Sequence, residues 1–173
     1  MNNPNRREVY SHISDKRYSK TLAQGNESEK RFAKIMSERG NEVVKATANQ
    51  DMKLHIDFFI NGEGVDVKGN KRSDYLWLEL QNVFGGKGWL YGSAKWIVYD
   101  VSDLKEFHIY KRTDLLDFVV KNVTETTDSN RDFMKFYKRD KTGGDDKIVR
   151  CRCSDIKHLL IQTISYAITK TKG

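Results

Sequence analysis

Two short runs of strand-forming residues, 55–60 and 64–68, flank Asn61, Gly62 and Glu63, and this arrangement constrains the chain more than any other feature. Asparagine and glycine tolerate the backbone of a tight turn between antiparallel strands, so the segment is expected to fold as a hairpin. Side chains alternate between the faces of a strand. Val65 and Val67 therefore enter one side, while Asp66 and Lys68 project together from the other. On the first strand Ile56, Phe58 and Ile60 supply the opposite face, which lets Asp57 stand beside Asp66 across the hairpin. Two carboxylates and an ammonium then share one patch. Like charges that close repel and raise a carboxylate's pKa, so the arrangement makes most sense around a divalent cation. Oxygen ligands of this kind suit Mg²⁺ or Mn²⁺.

The rest of the chain reads as alternating helix and strand. Residues 1–20 carry Arg6, Arg7, Lys16, Arg17 and Lys20 with little apolar periodicity, which suggests a mobile basic arm or a short docking helix ahead of a single domain over 21–173. Leu22, Phe32, Ile35 and Met36 follow helical spacing to Arg39, and Gly40 stands where a helix end favours glycine. Glu29 falls on or beside that helix's buried stripe, where a carboxylate requires a metal or a lysine as partner. Strands are expected at 42–47, 75–82, 95–99, 107–110 and 148–153, with a loop at 85–88. A helix capped by Thr113 is expected over 113–121, a turn at 142–146, and a closing helix after Ser154 with an apolar face of Ile156, Leu159, Leu160, Ile164 and Ala167. This order predicts an α/β domain with a mixed central sheet flanked by helices.

The helix acid Glu29, then Asp57, then Asp66-Val67-Lys68 resembles the PD-(D/E)XK nuclease superfamily over roughly residues 25–100, most of all its small resolvase-like and phage-encoded members. The usual Pro-Asp is Ile56-Asp57 here, with His55 two residues before the aspartate. The resemblance implies a restriction-endonuclease-like core and Mg²⁺-dependent hydrolysis of DNA phosphodiester bonds, as an endonuclease on double-stranded or branched DNA. It further implies that Asp57, Asp66 and the Val67 carbonyl bind the metal, and that Glu29 binds a second metal or a water. Lys68 would orient the attacking water or neutralise developing charge. Gln81, on a following strand, and His55 are further candidates. The alternative is a nucleic-acid-binding or regulatory module that keeps the fold without turnover. Whether the chain acts as a homodimer stays open.

A net charge of +7 favours polyanionic partners, with Lys71, Arg72, Lys87, Arg6, Arg7 and Arg17 as the expected phosphate contacts on DNA. No apolar run reaches the roughly 18 residues needed to span a bilayer, and the N-terminus lacks a hydrophobic signal core, so an intracellular, cytoplasmic protein is expected, compatible with phage origin. Competing readings are weaker. Asp66 and Lys68 as an exposed ion pair would contribute under about 1 kcal/mol. A phosphate loop at 62–71 fails because Asn70 stands where lysine is required. Cys151 and Cys153 with scattered histidines lack a convincing zinc spacing. Trp77, Trp89, Tyr91 and Trp96 could stack on bases, but Trp96 is expected in the core and only Trp89 on the surface.

Overall fold

A computed structural model describes residues 15–82, 85–138 and 147–166. The first helix, α1 (Asp15–Glu38), begins earlier than its periodicity suggests, so residues 15–20 of the expected arm are its first turns. Arg6 and Arg7, the rest of the arm and the expected turn at 142–146 lie outside the described residues. Gly40, at φ +81°, ends α1, with its N–H on Ser37 O and that of Asn41 on Met36 O. Strand β1 (Val43–Lys45) follows, then a helix the periodicity did not suggest, α2 (Ala48–Leu54). Thr47 caps it reciprocally with Gln50, and His55 closes it in the left-handed region at φ 53°. The first strand of the hairpin is therefore shorter than expected, β2 (Phe58–Ile60), because His55 to Asp57 form the exit from α2.

Asn61 and Gly62 both have positive φ, 49° and 82°, and connect β2 to β3 (Glu63–Asn70) with Ile60 opposite Glu63. This is the two-residue turn whose twist suits antiparallel strands, and it places Asp57 level with the middle of β3. Beyond lie β4 (Tyr75–Gln81), a 3₁₀ turn at Trp89–Tyr91, β5 (Trp96–Val101), β6 (Glu106–Lys111) and α3 (Arg112–Asn122). Thr113 does not cap α3: β6 runs straight into the helix, and its N-cap is Lys111, with no side-chain cap. Short strands β7 (Thr126–Thr127) and β8 (Phe136–Tyr137) precede β9 (Lys147–Arg152).

Among the described residues 154–166 the closing helix is not formed, and Ala167 of that expectation lies outside them. Lys157–Leu159 makes one 3₁₀ turn, and Leu160–Ser165 is a strand, β10, antiparallel to β6. Ile161, Thr163 and Ile164 are β-branched and prefer extended backbone, and β6 has an open edge to pair with.

The described residues thus form a mixed α/β fold with two sheets rather than one. The larger has the order β1-β2-β3-β5-β6-β10, antiparallel except at β3-β5; the smaller has the order β4-β9-β8-β7, with β7 and β8 parallel. One face of the larger sheet packs under α1, where Phe32 meets Phe107 edge-on at 5.2 Å among Phe58, Val65, Val67 and Val98. On its other face Ile97, Tyr99 and Tyr110 pack against Leu76 and Leu78 of β4, Val149 of β9 and Leu115 of α3. Trp89 is buried in this second core and Trp96 only half-buried, the reverse of the expectation: the 3₁₀ turn folds Trp89 and Leu90 inward, while Trp96 donates Nε1–H to Glu63 at 2.7 Å. No described helix is long and apolar enough to cross a membrane.

Candidate active site

Asp66 and Lys68 leave the face of β3 opposite Val65 and Val67, as alternation requires, and turn toward the second core. Lys68 Nζ lies 2.7 Å from Asp66 Oδ1 and 5.2 Å from the centre of the Trp89 ring. Asp66 is almost wholly buried, its side chain 3% exposed, whereas that of Lys68 is 29% exposed. The pair is therefore not an exposed surface ion pair.

Asp57 is fixed by its backbone on both sides. Its N–H donates to Val65 O at 2.8 Å, and its carbonyl accepts from Ala46 N at 2.9 Å. From this anchor the side chain reaches along β3, and Oδ2 accepts the Val67 N–H at 2.7 Å. Within a strand the N–H and C=O of one residue point to the same side, so the Val67 carbonyl faces the same space as the Asp57 carboxyl.

The electrostatics of this cluster are strained. Burial, then the neighbouring Asp66, push the Asp57 carboxyl up to about 6, against the opposing pull of the Val67 N–H, Lys68 and Lys45. Burial likewise raises Asp66, despite Lys68 beside it. For Lys68 burial disfavours the charge, but Asp66, Asp57 and Glu79 outweigh it and hold the ammonium above its ordinary range. Asp66 Oδ2 is buried with no donor on it. A hydrogen bond between the Asp57 and Asp66 carboxyls exists only when one of them carries a proton, so with both ionised that oxygen is orphaned. A buried, unsatisfied carboxylate oxygen costs several kcal/mol unless a cation or proton meets it. Two carboxylates with a facing carbonyl are hard oxygen donors, and they fit Mg²⁺ or Mn²⁺ as part of a shell completed by water. Among the described residues no group of three or more His, Cys, Asp or Glu side chains could hold a metal ion.

No family model, curated protein or solved structure matches the chain.

The other candidates fall at varying distance from this centre. Glu29 is half-buried and its Oε2 accepts from Lys45 Nζ at 2.8 Å, a lysine partner of the kind its position called for. Lys45 also acts on Asp57, which links Glu29 to the cluster through an intervening cation. Gln81 sits at the end of β4, bridged to Lys87, while Glu79, one alternation earlier, is the β4 residue whose charge acts on Lys68. His55 caps α2, its Cβ against Gly92. Lys71 follows Asn70 along a pocket of about 310 Å³ that is also lined by Lys68, Arg31 and Ser28. Arg72 is held by Asp74 through two bonds of 2.9 and 3.0 Å, and Lys87 is exposed in the loop after β4. Arg17 lies in the first turns of α1. Sequence reasoning missed Lys45, Glu79 and Asp51, whose charge raises Asp66 further. None carries a motif signal, since each joins the cluster only through tertiary packing.

Asp57→Asn tests the strain directly. An acid raised in the folded state leaves folding favoured below its unfolded pKa of about 4, and this contribution is lost as pH rises through about 6. About two pKa units correspond to on the order of 3 kcal/mol. In EDTA the variant should melt several degrees above wild type at pH 8 and level with it at pH 4. Millimolar Mg²⁺ should raise the wild-type melting temperature at pH 8 and leave the variant's unmoved. A wild type as stable as the variant in EDTA at pH 8 contradicts the strained pair.

Proposed function

We propose that the chain is a divalent-cation-dependent nuclease of the PD-(D/E)XK type with a restriction-endonuclease-like core, an endodeoxyribonuclease that hydrolyses DNA phosphodiester bonds. The observation that carries this reading is the buried pair Asp57 and Asp66, with an unpartnered oxygen on Asp66, in direct contact with Lys68. A structural ion pair has no need of a second buried carboxylate, whereas a hydrolytic site for phosphate does.

Asp57, Asp66 and the Val67 carbonyl would hold Mg²⁺ or Mn²⁺. The bound cation supplies charge that polarises the phosphate and acidifies a water. Lys68, kept fully protonated by Asp66, places a fixed positive charge beside the phosphate and orients the incoming water by donating a hydrogen bond to it. Trp89 lies under the ammonium and limits where it can swing. Glu29 contributes by keeping Lys45 beside Asp57, and direct ligation by Glu29 requires Lys45 to leave it. A non-catalytic DNA-binding module is the second reading, favoured by the capture of Glu29 by Lys45, which leaves two carboxylates at the centre. Incubating purified protein with linear, branched and single-stranded DNA in Mg²⁺, Mn²⁺ or EDTA separates the two. Cleavage with either metal and none in EDTA is expected, and binding without cleavage under every condition favours the module.

The exposed cations make a separate prediction. Affinity for DNA should fall linearly on a log scale with salt, and Lys71→Ala should reduce that slope by about one unit. A slope unchanged in Lys71→Ala places the phosphate backbone elsewhere. Arg72→Ala should do less, since Asp74 already neutralises that guanidinium.

A further inference from the structure

Lys68 also lines a cleft of about 450 Å³ whose other walls include Trp77, Glu79, Asn130 and Tyr137. Strand alternation explains its composition. Leu76, Leu78 and Leu80 of β4 are buried, so Tyr75, Trp77 and Glu79 face outward; across the ladder Arg152, Arg150 and Ile148 of β9 share that outer face. The Trp77 and Tyr137 rings lie 6.1 Å apart at 45°, both half-buried, and Trp77 meets Tyr75 edge-on at 6.3 Å.

Further from Lys68 the same face carries guanidinium groups stacked on rings. Arg150 lies 3.8 Å from the centre of Tyr75 and 4.5 Å from Phe133, and Arg152 lies 4.2 Å from Phe133. Arg150 is sandwiched and also donates to the Asn130 and Arg131 carbonyls, so it braces the strip. Trp77 and Tyr137 instead present ring surface to the cleft, with Glu79 and Asn130 at its polar edge. Aromatic walls of this kind serve a base only when it has left its stack, because both faces of a base within a duplex are already covered. The exposed Arg152, only loosely paired with Asp155 at 3.7 Å, supplies positive charge for the backbone of the strand that carries it.

We propose that this cleft takes an unpaired nucleotide of the DNA, with its base against Trp77 and Tyr137 and its phosphate toward Lys68. The preferred substrate is then a single or splayed strand, such as the open arm of a branched molecule, and not intact duplex. This rests on the nuclease reading for the role of Lys68, but the binding can be measured without cleavage.

The test uses the full chain in EDTA, with a labelled 20-nucleotide oligothymidine and a blunt 20-base-pair duplex as probes. Wild type should bind the single strand about tenfold more tightly than the duplex, with quenching of tryptophan emission. Trp77→Ala should weaken single-strand binding by about tenfold or more while duplex binding changes less than about twofold. Trp77→Phe, which keeps a ring in the same packing, should retain most of the affinity, match the wild-type melting temperature and lose most of the quenching. Equal affinity for both probes or equal losses on both in Trp77→Ala overturns the proposal. Metal-dependent cleavage without any Trp77 effect on binding sinks the cleft and leaves the nuclease standing. Trp77-dependent single-strand binding with no cleavage of any DNA does the reverse.

Discussion

Asp66→Asn should reduce metal-dependent DNA cleavage by about a hundredfold or more while the protein stays folded. The substitution keeps the shape of the side chain and removes its charge. That charge is buried, bonded to Lys68 at 2.7 Å, and carries the oxygen no donor reaches. If the carboxylate held only Lys68, its loss would affect stability and leave turnover near wild type. If it ligates the cation, turnover collapses as well; the ion pair with Lys68 is lost in either case, so the fall in turnover and not the melting temperature separates the two roles. Affinity for DNA in Ca²⁺ should persist or rise, since negative charge is removed next to phosphate while the basic surface is unaltered. Cleavage measured in parallel with affinity and melting temperature separates these outcomes, and wild-type cleavage by the variant ends the assignment of this site.

Lys68→Ala should be as damaging to cleavage and should retain metal. The ammonium is a neighbour of the proposed ligands and not one of them, so its removal takes away positioning and charge stabilisation, a loss of about a hundredfold or more. Two effects on the cation then oppose each other. Losing a positive neighbour strengthens attraction for a divalent ion, while Asp57 and Asp66, no longer favoured in their ionised forms by Lys68, hold protons to higher pH. Mn²⁺ affinity should therefore match or exceed wild type at pH 8 and fall below it near pH 6. Retained cleavage in Lys68→Ala would show that the lysine serves only to neutralise Asp66.

What the sequence disclosed of this centre depended on local rules. Asn61-Gly62 encodes its turn, and β3 alternates so regularly that Val65 and Val67 against Asp66 and Lys68 can be assigned to faces without coordinates. The same rules failed where two periods fit one segment. Ile156, Leu159, Leu160 and Ile164 match helical spacing, yet the segment folds as a turn and a strand because β6 offers an edge and the residues after Leu160 are rich in β-branches. Helix α2 is too short to show a period; only the Thr47 to Gln50 capping box announces it. Trp89 and Trp96 exchanged expected places because a loop composition hides the 3₁₀ turn that folds Trp89 inward. Glu29 was legible as a carboxylate needing a partner, but Lys45 arrives from β1 by packing alone. Glu79 likewise acts on Lys68 only because the second sheet brings β4 against the end of β3.

Crystals soaked in Mn²⁺ at pH 8, with anomalous differences collected at the manganese edge, show directly whether a divalent cation sits between Asp57 and Asp66. A peak is expected within roughly 2.5 Å of Asp66 Oδ2 and of an Asp57 carboxylate oxygen, with Lys68 Nζ outside the coordination shell, and no such peak in Asp66→Asn. A map without density between the two aspartates, in crystals where Mn²⁺ binds elsewhere, would contradict the proposed metal site.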